Sequence, residues 1–134
     1  MKLGIVVSEF YWEEITGKML EAALQACQDD DVQTVVIRVP GSFDIPLPVK
    51  KLLQQEDISG VVTLGAIIEG ETDHDGVIAY SLAKTLQELS LKFEKPVVLG
   101  VNGPKMSWDQ AVARIERAKE VVEACIKLCR DIGF

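Results

Sequence analysis

Val61-Val62-Thr63-Leu64-Gly65-Ala66-Ile67-Ile68 is an unbroken run of apolar and small residues, and Glu69-Gly70-Glu71-Thr72-Asp73-His74-Asp75 follows it directly. An apolar run rich in β-branched residues and preceded by glycine reads as a strand buried on both faces. Helical patterning resumes at Val77 and continues to about Leu91, so His74 is expected just past the carboxyl end of a strand. Ligands of open α/β sheets bind at those ends. Imidazole is also the side chain best suited to give and take a proton near neutrality, and His74 is the only histidine.

The same unit recurs on either side. Strand-like runs cover Leu3 to Val7, Gln33 to Val39, Gly60 to Leu64 and Pro96 to Val101. Glu13 to Cys27 sets Ile15, Met19, Ala22, Ala23 and Ala26 at helical spacing, and Leu47 to Leu53 predicts a shorter helix after Pro46. A last helix is expected from about Ser107, a plausible N-cap, to Leu128, with Ala111, Ile115, Ala118, Val122, Cys125 and Cys129 along one stripe. A β-α unit repeated four times predicts a three-layer α/β/α fold around a four-stranded parallel sheet. The 134 residues, 48% hydrophobic and without a linker or low-complexity segment, predict one domain over residues 1–134. A sheet this narrow leaves apolar surface that self-association would cover.

Composition narrows the partners. A net charge of −7 repels a polyanion, so no nucleic acid is expected. No run approaches the roughly 18 apolar residues of a membrane span, and Met1-Lys2 leads straight into a strand, so no membrane association and a cytoplasmic location are expected. Cys27, Cys125 and Cys129 fall within helical patterns as small core residues, and no second ligand pair accompanies Cys125 and Cys129, so no metal is expected.

Each predicted strand precedes a loop of unusual residues: Ser8-Glu9-Phe10-Tyr11-Trp12, Pro40-Gly41-Ser42-Phe43-Asp44, the His74 segment, and Asn102-Gly103-Pro104-Lys105. Parallel strands with crossover connections bring all four to one sheet edge. Phe10, Tyr11 and Trp12 offer a stacking surface for a flat heterocycle or packing against another subunit, with Phe10 nearest the strand. Pro40 and Pro46 stiffen the second loop, where Asp44 either binds ligand hydroxyls or caps the helix that follows. Gly70-Glu71-Thr72 precedes a helix, whose N-terminus suits a phosphate; Glu71, Asp73 and Asp75 oppose that unless they turn away. Arg114, two turns into the last predicted helix, offers either a bidentate cation or a surface ion pair. Neither G-x-G-x-x-G nor G-x-x-x-x-G-K-[ST] occurs, which removes dinucleotide and P-loop readings.

In this order and spacing, the loops Ser8 to Trp12, Val39 to Pro46 and Gly65 to Asp75, together with Gln110-Ala111-Val112-Ala113-Arg114, resemble those of the lumazine synthases of riboflavin biosynthesis. The resemblance spans nearly the whole chain. Ile68-Glu69-Gly70-Glu71-Thr72-Asp73-His74-Asp75 and Lys95 to Pro104 look like the archaeal form, with glutamates where bacterial members usually carry basic or small residues. It implies a flavodoxin-like fold and the condensation of 5-amino-6-(D-ribitylamino)uracil with 3,4-dihydroxy-2-butanone 4-phosphate, giving 6,7-dimethyl-8-ribityllumazine, phosphate and water. No cofactor or metal is implied. By the same resemblance Phe10 stacks on the pyrimidine, Ser42, Phe43 and Asp44 hold the ribityl chain, and Ile68 lines the same subsite. Leu99 stands where many bacterial members have a phenylalanine reaching in from the adjacent subunit, and Tyr11 replaces a frequent asparagine. Glu71, Thr72 and Arg114 match the phosphate site, and His74 the proton-transfer residue. A phosphate-binding lysine of some bacterial members has no clear counterpart, with Lys105 one candidate. The family's rings of five, twelve of which close into a shell in many members, imply self-association. Rival readings are an archaeal-type riboflavin synthase, which generally lacks this histidine loop, and a non-catalytic flavin-binding or shell-forming homologue, in which the loop would be expected to decay.

Overall fold

The structure, a computed structural model, describes residues 1–70 and 72–133. Four strands, β1 (Lys2–Ser8), β2 (Gln33–Val39), β3 (Gly60–Ile68) and β4 (Val97–Met106), form a fully parallel sheet in the order β2-β1-β3-β4. The helices between and after them are α1 (Gly17–Asp29), α2 (Pro46–Leu53), α3 (His74–Phe93), α4 (Trp108–Ala113) and α5 (Arg117–Ile132). Alternation along β1 divides the core. Leu3, Ile5 and Val7 face the layer of α1 and α5 with Met19, Ala23, Val122 and Cys125, while Val6 faces that of α2 and α3 with Val49, Leu52 and Leu82. Central β3 is buried from Gly60 to Ile67, as its two-sided apolar run requires. This is the three-layer α/β/α arrangement that the alternating pattern predicts, and it is flavodoxin-like as the resemblance implies.

Four of the differences from expectation bear on site residues. α3 begins at His74 rather than Val77, so the imidazole stands on the first turn of a helix. Val77 is exposed and Asp75 is buried in phase with Ala79, Leu82 and Leu86; a carboxylate at an inward position hid the true start from a hydrophobic pattern. β4 continues through Asn102-Gly103-Pro104-Lys105, which the turn chemistry of those residues marked as a loop. Ala66 pairs with Asn102 and Ile68 with Met106, so β4 spends two extra residues in a bulge. Gly103 (φ +125) and Lys105 (φ +56) take positive φ there, and the Gly103–Pro104 peptide is cis.

The single last helix expected from Ser107 is two helices. Ser107 is its N-cap, accepting from the Gln110 N–H at 3.2 Å while the Gln110 side chain accepts from the Ser107 N–H at 2.9 Å. Between α4 and α5 the bonds tighten to i→i−3, from Arg114 N–H to the Ala111 carbonyl and from Arg117 N–H to the Arg114 carbonyl. Ala111, Ala118 and Val122 stay buried in phase across the turn, which is why spacing did not expose it. Arg114 therefore ends a short helix instead of riding mid-way along a long one. Asp44 does not cap α2: Ile45 holds the N-cap position with Pro46 at N1. The Asp44 carboxylate instead accepts from the Gly41 N–H at 3.0 Å, closing a 3₁₀ turn over Ser42–Asp44.

Candidate active site

A cavity of about 410 Å³ opens at the carboxyl edge of β1 and β3. Phe10 and Tyr11 line it from β1, Gly41, Ser42 and Phe43 from the turn after β2, and Ala66 to Ile68 from the end of β3. Gly70, Thr72, His74, Asp75 and Ile78 close it at the start of α3. Phe10, Ser42, Phe43, Ile68, Thr72 and His74 thus come together as crossover topology dictates. Asp44 lies in the same turn but outside the lining. Leu99 and Arg114 lie outside it too: Leu99 is half-exposed on the edge strand β4 and Arg114 is half-buried at the end of α4. Glu71 lies outside the described residues.

Local bonds fix the aromatic wall. The Phe10 N–H donates to the buried Ser8 hydroxyl at 3.2 Å, and the Thr16 hydroxyl donates to the Phe10 carbonyl at 3.4 Å. With its backbone held, Phe10 is 59% exposed where it lines the cavity. Tyr11, at φ +62, meets Phe10 edge-on at 4.9 Å and Trp108 of α4 edge-on at 5.2 Å, joining two loops of the sheet edge. Trp12 turns away under Arg38, whose guanidinium lies 3.6 Å from the ring centroid and pairs with Glu9 at 2.9 Å. Opposite, Phe43 is 70% exposed and Ser42 is pressed onto β3. A Cβ added to Gly65 would stand 2.8 Å from the Ser42 hydroxyl, so the absence of a side chain there lets the turn settle on the strand.

The other end is polar. The start of α3, a twenty-residue helix, brings its positive dipole end to the cavity beside exposed Thr72 and His74. The His74 N–H donates to the Thr72 hydroxyl at 3.4 Å. Asp75 is buried and accepts from the Lys105 N–H at 3.0 Å, so its burial is met by a hydrogen-bond donor. Sequence reasoning grouped Asp75 with ordinary helix-start acids; its phase with Ala79, Leu82 and Leu86 was the available signal. Ile78, one turn beyond His74, was missed for the same reason.

The arrangement offers a stacking surface and rigid polar groups at one end, and an anion-favouring helix start with an acid–base group at the other. Among the described residues no three ligating side chains gather in a metal-binding cluster. The cysteines are buried: desolvation, with a smaller push from Asp30, raises the Cys27 thiol to about 11, and the hydrogen bond to Cys129, together with burial, holds the Cys125 thiol far above its ordinary range.

A family model described as 6,7-dimethyl-8-ribityllumazine synthase matches residues 1–132. Relatives bearing that name include a protein of Picrophilus torridus, 48% identical over 131 residues with 97% of this chain and 96% of its own covered. One from Methanopyrus kandleri is 47% identical over 133 residues, covering 98% of this chain and 94% of its own. One from Saccharolobus solfataricus is 50% identical over 130 residues, covering 96% and 84%. A solved structure titled flavone reductase superposes with a TM-score of 0.57 at 14% identity, over 99% of this chain and 64% of that chain, a likeness that bears on the fold alone. With the sheet, the aromatic wall and the histidine-bearing helix start all inside the matched span, the chain belongs to the 6,7-dimethyl-8-ribityllumazine synthase family.

Proposed function

We infer that this chain condenses 5-amino-6-(D-ribitylamino)uracil with 3,4-dihydroxy-2-butanone 4-phosphate, releasing 6,7-dimethyl-8-ribityllumazine, phosphate and water. One observation carries the assignment of roles: a single cavity holds Phe10, Ser42 and Phe43 at one end and Thr72 and His74 on a helix start at the other. A flat pyrimidine fits the aromatic wall with its ribityl hydroxyls toward the Ser42–Asp44 turn, and a phosphate fits the dipole end of α3. The 5-amino group of the uracil attacks the ketone and expels water, forming an imine. A proton then leaves carbon as phosphate departs, and His74 takes or relays it; the enol so formed tautomerises to a ketone, on which the ribitylamino nitrogen closes the second ring and expels a second water. Holding two substrates at attack distance supplies roughly 7 to 11 kcal/mol of the acceleration, and acid–base help a further factor of about 10² to 10⁴. None of these steps calls for a metal or an organic cofactor.

The phosphate end calls for a cation, and among the described residues no lysine or arginine lines the cavity. Arg114, which has no ion pair among the described residues, and half-exposed Leu99 are assigned to the cavity of a neighbouring copy, in rings of five and, on further closure, a shell. Lys105, in the β4 bulge beside Asp75, is a second candidate cation. Residues 1–134 are read as one domain, since both core layers share one sheet. The cytoplasm is taken as its compartment, in keeping with three free buried thiols. The deciding experiment mixes the aminouracil and the butanone phosphate with purified protein. Lumazine fluorescence and phosphate should appear together; neither appearing from folded, assembled protein overturns the assignment. Sedimentation of the same sample reads the assembly.

A further inference from the structure

Among the described acids between Glu69 and Asp75, Asp75 alone is buried, only 6% exposed, and it lines the cavity next to His74. Its Oδ2 accepts the backbone N–H of Lys105, thirty positions along the chain, at 3.0 Å. That N–H belongs to the bulge of β4, where the regular pairing with β3 is interrupted and Lys105 stands at φ +56. The start of α3 is otherwise weakly held. Its N-cap residue Asp73 makes no side-chain capping bond, and the contact from the His74 N–H to the Thr72 hydroxyl is long at 3.4 Å and local. Asp75 is thus the one side chain of this first turn that, among the described residues, is hydrogen-bonded to the sheet.

We propose that Asp75 is a positioning residue: by accepting the Lys105 N–H it ties the first turn of α3, and with it His74 and Thr72, to the β4 bulge. A buried carboxylate is costly to keep unless a donor meets it, so the bond fixes both partners at once. Displacement of this first turn by about 1 Å is enough to slow a reaction that depends on alignment by roughly a hundredfold. The effect on turnover rests on the proposed condensation; the tether itself does not.

The test compares Asp75→Ala and Asp75→Asn in the assembled protein by steady-state lumazine formation and by amide hydrogen exchange. Asp75→Ala is expected to lower kcat by about 10- to 100-fold. Its KM for the aminouracil should stay within about twofold, because that substrate rests on Phe10 and Ser42. Exchange should quicken at Lys105 and over the first turn of α3. Asp75→Asn keeps the size and an acceptor oxygen for the same N–H, and should restore most of kcat and of the protection. Folded Asp75→Ala with wild-type kcat overturns the proposal, as does Asp75→Asn that protects Lys105 yet is as slow as the alanine variant, since the carboxylate charge would then matter rather than the tether. Should Asp75→Ala fail to fold, Asp75→Asn is read against the parent: protection kept at Lys105 with kcat lowered about 10-fold or more overturns the proposal. Should the wild-type chain make no lumazine, the function falls separately, and unchanged exchange at Lys105 in a folded variant still overturns the tether.

Discussion

Replacing Gly103 by alanine and Lys105 by glycine should move stability in opposite directions, although the two residues are neighbours in one bulge. Gly103 sits at φ +125, and a Cβ built there would stand 2.7 Å from the Ile67 carbonyl oxygen and 3.0 Å from the Ile67 Cβ. Backbone in such a region costs an L-residue about 1 to 3 kcal/mol, and pressing a methyl group against a neighbouring strand adds about 1 to 3 kcal/mol more. The expected loss for Gly103→Ala is therefore at least about 2 kcal/mol, a fall of roughly 6 to 12 °C in melting midpoint for a chain of this size. Lys105 already pays for φ +56, about 1 to 2 kcal/mol, and glycine returns that while costing about 0.5 to 1 kcal/mol of unfolded-chain entropy. Lys105→Gly should thus gain between about 0 and about 1.5 kcal/mol while leaving the N–H that Asp75 accepts in place. Urea titrations at one fixed protein concentration, with the slope checked for constancy, measure both, since self-association would otherwise enter the result. Gly103→Ala within about 0.5 kcal/mol of the parent, or Lys105→Gly losing more than about 1 kcal/mol, would refute the assignment of backbone strain to this bulge.

His74→Ala should slow turnover by about 10² to 10⁴-fold without abolishing it, because substrate alignment by Phe10, Ser42 and Thr72 survives; complete loss in a folded variant counts against that division of labour. Arg38→Ala removes both the guanidinium over Trp12 and the pair with Glu9, and should cost about 1 kcal/mol in urea melts, since both interactions are solvent-exposed. A cost above about 3 kcal/mol would mean that the pair holds more than its own loop. The raised Cys27 thiol sets a pH dependence. Above pH 9.0, its ordinary value, the unfolded chain releases this proton while the folded chain keeps it up to about 11, so the stabilisation present below 9 drains away between those values. Stability measured from pH 8 to 11 should fall less steeply in Cys27→Ala than in the parent; identical slopes would remove Cys27 as a cause.

The parts of this protein that could be read from its residues are those where neighbours in sequence set the outcome. Val61 to Ile68 announced a two-sided strand because every residue but Thr63 and Gly65 is an apolar side chain, and Thr63 meets its need by donating to the Val98 carbonyl at 3.0 Å. Phe10, Ser42, Phe43, Ile68, Thr72 and His74 converge because parallel strands leave their carboxyl ends together. What stayed hidden depends on distant partners. Asn102 to Lys105 carries turn residues, yet pairing with Ile68 and the Glu69 N–H, which donates to the Met106 carbonyl at 2.8 Å, extends the strand past them. The start of α3 was concealed because its inward position holds Asp75, whose donor is thirty residues away. Arg114 and Leu99 stand off from the cavity, and spacing within one chain carries no information about what a second copy brings.

The edge-on contact of Tyr11 with Trp108 gives the molecule an internal optical gauge. Tyr11 touches Phe10 on one side and this indole on the other, so a heterocycle settling on Phe10, as proposed, should change the emission of Trp108 on α4. Trp12 packs under the Arg38 guanidinium and is not among the residues that line the cavity. Loading of the pyrimidine alone, before any bond is made, is thereby open to titration by intrinsic emission in a Trp12→Phe background, with no label attached.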